Sequence, residues 1–355
     1  MPRLLDAFLI GEAEAMRLSE FFEVVAEYSE DRNKCLEMLV QQFPFVYAPA
    51  FGKHPVHRVF AEDISQYLTT TTVLSRDTAF DNTFLIETGR GCSHGCRFCA
   101  AGYVYRPPRF RSLDALIQAM DIGVSMSKHI GLVGAAVSDL PDIKALCHHV
   151  RDKDIRVSFS SLRADALSPE LLSVLKQSRV KTATIAPEAG SERLRRVINK
   201  GISEDDILNA AERLVSEGIP NLKLYFMLGL PTESEDDINE IVHLCKRIKE
   251  RFLAASKLKG RIGDITVSLN CFVPKPFTPF QWAAVNDIKL LKHKIDMVRK
   301  GLKAVANIRV QADDPRHAPV QAILSNGDKT TATLLLNAHH HNGSWTKTLK
   351  EKRFI

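Results

Sequence analysis

Long hydrophobic runs are missing from this chain. A membrane-spanning helix needs roughly 20 consecutive apolar residues, and nothing in the sequence approaches that length. The start, "PRLLDAFLIGEAEAMRL", turns acidic too early for a secretory signal. No membrane partner is expected, and the cytoplasm is the expected compartment. A charge excess is also missing, because a net +6 spread over 355 residues is modest. It permits a nucleic-acid partner without supporting one. There is no internal repeat and no low-complexity segment. Cysteine is sparse and uneven: of seven, Cys35, Cys147, Cys245 and Cys271 stand alone, with no CxxC or CxxH partner. That pattern excludes the regular pairing of a small disulfide-framed protein.

The chain does have material for a large core, with 45% hydrophobic and 25% charged residues. From about residue 83, short β-rich runs alternate with amphipathic helical stretches. Strands are predicted at Thr83–Thr88, His129–Gly134, Arg156–Ser160, Lys181–Ala186, Leu222–Leu228 and Ile265–Phe272. Helix starts are marked by Ser112, by Ser168 before Pro169, and by Ser203 with Asp206 and Thr232 with Glu235 at capping-box spacing. Ile238, Ile241, Cys245, Ile248 and Phe252 recur at three and four, one buried helical stripe in which Cys245 is a packing residue. Strand-helix alternation implies parallel strands and right-handed crossovers. The expected fold class is α/β, a partial (β/α)6 barrel over residues 81–283. Residues 1–80 form an N-terminal segment, and 284–355 a helical C-terminal extension with a short strand around Ile308–Val310. In such folds the site lies at the C-terminal ends of the strands.

There the three remaining cysteines fall. The strand "TFLIETGRG" runs into "CSHGCRFCAAGYVYRPPRFRS", so Cys92, Cys96 and Cys99 share one glycine-bracketed loop. Three thiolates at this spacing can hold three irons of a cubane and leave the fourth iron open to a chelating amine and carboxylate. The alternative is a zinc site recruiting His94 or a distant cysteine, although the second ligand pair usual in structural zinc sites is missing.

Cys-x3-Cys-x2-Cys, with aromatic Phe98 before the last cysteine and placed after the first strand of a β/α repeat, resembles the signature of the radical S-adenosylmethionine (SAM) superfamily. The resemblance covers roughly residues 80–285. "APEAGSERLRRVINKG", "FMLGLPTE" and "FVPKPFTPFQW" are similar to members that usually carry an N-terminal cobalamin-binding domain. It implies a 4Fe-4S cluster on Cys92, Cys96 and Cys99, SAM bound through the open iron, and an electron donor such as flavodoxin or ferredoxin. The expected product is a 5'-deoxyadenosyl radical that abstracts hydrogen from an unidentified substrate.

By the same resemblance, Gly134 supplies backbone to the methionyl amine, although the usual glycine-rich turn reads Gly134, Ala135, Ala136 here. Glu188 contacts the ribose or the amine, and Lys200 the methionyl carboxylate. Ser160, Ser161 and Arg163 leave the third strand toward the same mouth, with Ser161 a further SAM contact. Arg97, Arg106, Arg109 and Arg111 are placed to neutralise the cluster or grip an anionic substrate. Arg193, Arg195 and Arg196 read as mostly surface charge. Lys275, Gln281 and Trp282 are candidate substrate contacts, and Phe277 stands where related proteins often have histidine.

"LLDAFLIGEAEAMRLSEFF" resembles only the last strand and helix of a cobalamin domain, and no Asp-x-His-x-x-Gly pattern is present. This chain alone is therefore not expected to hold cobalamin, and it is either a piece of a longer protein or diverged. A tRNA methylthiotransferase-like enzyme would carry a further upstream cysteine trio, whereas only Cys35 lies there. A non-catalytic SAM- and cluster-binding module is the alternative from another class.

Overall fold

A computed structural model describes residues 5–351 apart from 53, 161, 259, 261 and 329. It divides into two compact units: residues up to Asp63 with those from Asn326 onward, and Ile64–Ser325. In the first, a short strand β1 (Phe8–Leu9) pairs antiparallel with β2 (Val46–Tyr47), and helices α1 (Leu18–Glu27) and α2 (Arg32–Gln42) lie between them in sequence. Val24, Leu39, Phe43, Phe45 and Val46 form their core.

The second unit carries the strand-helix repeat. It begins with β3 (Phe84–Glu87), the short pair β4 (Gly89–Arg90) and β5 (Arg109–Phe110), and helix α3 (Leu113–Met126). Then follow β6 (His129–Val133), α4 (Ile143–Asp152), β7 (Arg156–Phe159) and α5 (Pro169–Gln177). Next come β8 (Thr182–Glu188), α6 (Glu192–Val197), α7 (Glu204–Ser216), β9 (Asn221–Leu228) and α8 (Glu235–Leu258). The series ends with β10 (Ile265–Cys271), α9 (Ile288–Leu302), β11 (Ile308–Ala312) and α10 (His317–Asn326), before α11 (Thr331–His340) and α12 (Trp345–Glu351).

All six expected strands form, each within two residues of its expected ends. They hydrogen-bond as two parallel sheets, β3-β6-β7 and β11-β10-β9-β8. The strand of the tail, β11, pairs with β10 from Ile265↔Ile308 to Leu269↔Ala312, so residues assigned to a helical extension supply a seventh parallel strand. Residues 64–80 and 284–325, set outside the barrel by the sequence reading, lie in this same unit.

Period-two alternation decides which side chains face the helices. In β9, Leu222, Leu224, Phe226 and Leu228 are fully buried while Lys223, Tyr225 and Met227 alternate with them on the opposite face. In β8, Ala183 and Ile185 are buried and Thr182 and Thr184 are exposed. The helix-facing side of the strands joins the stripe Ile238, Ile241, Cys245, Ile248 and Phe252 of α8 in one large core. The other face is left largely polar.

Ser112, Ser168 and Ser203 each cap their helix, the last in a capping box with Asp206. The expected Thr232–Glu235 box moves two residues on. Ser234 and Asp237 make the reciprocal bonds, Asp237 N–H to Ser234 Oγ at 3.4 Å and Ser234 N–H to Asp237 Oδ2 at 2.8 Å. Thr232 instead takes a left-handed conformation, φ 64°, in the turn that precedes them.

Candidate functional site

The loop after β3 is anchored to the far end of α6. That short helix closes in a left-handed Asn199, φ 55°, with Asn199 N–H bonding Arg196 O at 3.0 Å and Lys200 N–H bonding Arg195 O at 2.9 Å. The Asn199 side chain then donates to Gly95 O at 2.9 Å, as does the Tyr103 hydroxyl, also at 2.9 Å. Arg97 N–H donates to Ile198 O at 2.9 Å and the Arg97 guanidinium to Val197 O at 2.6 Å. At Gly102 a Cβ would stand 2.3 Å from His94 O, so the turn closes only around a residue without a side chain. Phe98 packs against Ala189, Leu194, Ile198, Leu230 and Phe272.

These constraints bring Cys92, Cys96 and Cys99 to one cavity of about 530 Å³, within the range of small-molecule sites. Cys96 is buried, the other two half-buried. Burial pushes the Cys96 thiol above its ordinary range, with the Lys200 charge opposing it. Burial likewise raises Cys92, against the N–H of His94. Buried thiols beside fixed cations suit a ligand that takes them as thiolates. Among the described residues no group of three or more His, Cys, Asp or Glu side chains surrounds a single-ion position. His94, the alternative fourth ligand, has Nε2 hydrogen-bonded to Asp139 Oδ2 at 2.6 Å.

Glu188 and Lys200 line the same cavity and pair with each other, Nζ to Oε1 at 3.1 Å, with side chains only 15% and 13% exposed. Glu188 sits past an irregularity in the β8–β9 ladder and is left-handed, φ 67°. For a residue with a Cβ such backbone is strained, by about 1–2 kcal/mol. Arg163 also lines the wall, held by Asp165 at 2.8 Å. Along the strands, the wall is made by Ser158, Thr184, Tyr225, Met227 and Asn270. These lumen positions were not among the candidates from sequence, although the strand alternation that marks them was legible.

Other expected contacts fall differently. Gly134 is not part of the cavity wall, which Ala135 and Ala136 provide, and its N–H and C=O are both bonded to Ser160 Oγ, at 3.1 and 3.0 Å. Ser161 lies outside the described residues. Arg97, Arg106, Arg109 and Arg111 are absent from the wall. Arg111 is buried and tied to Glu87 and to the carbonyls of Ile64 and Tyr67. Arg109 is buried too, and Arg106 covers the Tyr103 ring. Arg195, read as surface charge, is 1% exposed. Its helix has only six residues, too few for an apolar stripe to show which face is inside. Phe277 and Trp282 are strongly exposed.

A family model for the radical SAM superfamily matches residues 86–245. An uncharacterized protein of Methanocaldococcus jannaschii is 37% identical over 329 residues, which cover 90% of this chain and 69% of that protein. The chain belongs to the radical SAM superfamily. A tRNA-2-methylthio-N(6)-dimethylallyladenosine synthase of Acetivibrio thermocellus is 24% identical over 173 residues, 45% of this chain and 36% of that enzyme. The solved structure of Escherichia coli coproporphyrinogen III oxidase, a radical SAM enzyme, aligns at a TM-score of 0.44 and 16% identity over 61% of this chain and 52% of its own. Among the described residues no helix is long and apolar enough to cross a membrane.

Proposed function

We propose that this chain is a radical SAM enzyme whose Cys92, Cys96 and Cys99 ligate three irons of a 4Fe-4S cluster and whose substrate is held by the strand residues lining the same cavity. The observation that carries the reading is the convergence of those three thiols with the half-buried Glu188–Lys200 pair on one ligand-sized cavity. When bound, the cluster supplies the electron that breaks the sulfonium bond of SAM, giving methionine and a 5'-deoxyadenosyl radical.

The protein's own groups position and shield. Lys200 offers its ammonium to the methionyl carboxylate, a charge-assisted contact in a partly dry pocket. Glu188 offers a carboxylate to the methionyl amine or the ribose. Ala135 and Ala136 take the place given to Gly134 for backbone contact. The hydroxyl- and amide-bearing lumen residues Ser158, Thr184, Tyr225 and Asn270 suit a substrate with hydrogen-bonding groups. Electrons come from a donor of the flavodoxin or ferredoxin type, in the cytoplasm.

Anaerobic reconstitution with iron and sulfide tests the reading. About four irons per chain with reductive release of 5'-deoxyadenosine supports it. Iron without cleavage would leave a SAM- and cluster-binding module, and zinc alone a zinc protein.

A further inference from the structure

The buried Arg195 spans both halves of the Glu188–Lys200 pair. Its guanidinium donates from Nη1 to Ala189 O at 3.2 Å and to Gly190 O at 2.8 Å, the two carbonyls that directly follow Glu188. Its own backbone carbonyl accepts the N–H of Lys200 at 2.9 Å. A single residue thus fixes the peptide leaving one partner and the peptide entering the other.

The backbone attachment would be made by any residue here, but the side-chain one answers a specific need. Glu188 holds a left-handed backbone that L residues avoid, and such a conformation persists only where its surroundings over-determine it. Downstream, Gly190 is pressed against α8, where a Cβ would lie 2.2 Å from Ile241 N, so the segment cannot relax that way. Upstream, the ladder with β9 is irregular between Ile185 and Glu188. Between these two constraints the Arg195 guanidinium ties the carbonyls of Ala189 and Gly190. It does so at a cost, since Nε and Nη2 are buried without a partner. Simple packing would be served better by an apolar side chain than by a half-satisfied guanidinium.

We propose that Arg195 is a positioning residue for SAM binding: it sets the relative placement of the Glu188 carboxylate and the Lys200 ammonium without touching SAM itself. The inference rests on the reading of Glu188 and Lys200 as SAM contacts.

The test uses the cluster-loaded chain and equilibrium dialysis against SAM, with iron content and thermal melting recorded for every variant. Arg195→Met keeps the length of the side chain and removes its donors, and Arg195→Lys keeps a charge with one donor head. Arg196→Ala, on the same helix and 76% exposed at its side chain, is the control. Both Arg195 variants are expected to bind SAM roughly tenfold or more weakly, in keeping with the rate losses that small misplacements cause, while retaining iron. In a Glu188→Gln background the Arg195 change is expected to add little, because the carboxylate it places is already removed. A merely structural arginine would lower the melting temperature equally in both backgrounds and affect SAM affinity additively, and that result overturns the proposal. So does unchanged SAM affinity in both Arg195 variants, or loss of iron in Arg195→Lys. If neither Glu188→Gln nor Lys200→Met alters SAM affinity, the parent reading fails and takes this inference with it. If those two weaken binding and Arg195 does not, only the inference fails.

Discussion

Removing the Lys200 ammonium is the sharpest probe of the proposed SAM site. At 3.1 Å the gross attraction between Lys200 and Glu188 is about 5 kcal/mol for an effective dielectric constant near 20. Most of it is offset by the desolvation of two groups that are only 13% and 15% exposed. A charge-assisted contact from Lys200 to SAM carries a net contribution of about 1.5–3 kcal/mol. Because Lys200 is already engaged by Glu188, binding SAM trades one carboxylate for another, and the measured effect of Lys200→Met should fall near the lower figure. That corresponds to about a tenfold rise in the dissociation constant of SAM.

Glu188→Gln works in the opposite sense on Lys200. It frees the ammonium for the methionyl carboxylate while weakening the contact to the amine or ribose, so its net effect should be smaller than that of Lys200→Met. The assay is equilibrium binding of SAM to the cluster-loaded chain, with iron content as the check that the loop is intact. Unchanged affinity in both variants would refute the assignment of these residues. Iron loss in either would show that the pair supports the cluster loop instead.

Three further outcomes follow from the same structure. Cys96→Ala should lose the cluster and its broad absorption, since a cubane left with two thiolates has lost a covalent ligand, whereas Cys35→Ser should keep full iron content. Lys294→Met strands Glu233, whose side chain is 1% exposed, and should cost about 3–5 kcal/mol by chemical denaturation at neutral pH. Burial already raises the Glu233 carboxyl despite Lys294. A raised carboxyl favours the folded state below its unfolded value, and that advantage is lost as pH rises, so this variant should recover stability toward pH 4. Asp237 is the reverse case: burial alone would raise it, yet the Arg193 guanidinium and the Ser191 and Ser234 hydroxyls hold it at about 2. Its contribution is present above the ordinary aspartate value of 3.8 and disappears as pH falls toward 2. Asp237→Asn should flatten that part of the acid limb by about 1–2 kcal/mol. An unchanged acid limb would mean that the Arg193–Asp237 contact contributes nothing.

What the sequence displayed, and what it hid, divide along one physical line. The strands were legible because each buries one full face against helices, so that β9 reads Leu222, Leu224, Phe226, Leu228 in strict alternation. The caps at Ser112, Ser168 and Ser203 were legible because an N-cap is a contact between residues three apart. The same logic misplaced the start of α8, where two overlapping candidates, Thr232 with Glu235 and Ser234 with Asp237, satisfy one pattern. The left-handed turn at Thr232 decided between them. That the cysteine trio meets at one cavity was legible because its three members lie within eight positions of one loop. β11 was seen as a strand, but its pairing with β10 depends on a partner more than forty residues away in sequence.

The hidden part consists of contacts made to main-chain atoms. Gly134, given a SAM contact by the resemblance to the superfamily's glycine-rich turn, bonds Ser160 Oγ through both its N–H and its C=O. Arg195 was assigned to solvent because arginine usually ends there, yet it is held by two carbonyls and surrounded by packed side chains. A side chain that bonds carbonyls leaves no complementary residue type for a pattern to detect, since every residue has a carbonyl. Asn199 shows the one available clue. It stands between a short helix and a glycine, in "NKG", where a left-handed cap is common, and that cap is what turns Lys200 toward Glu188 and the Asn199 amide toward the cluster loop. The geometry of this site is therefore set largely by the end of α6, and substitutions at Arg195 and Asn199 should disturb SAM binding more than their distance from any charge in the linear sequence would imply.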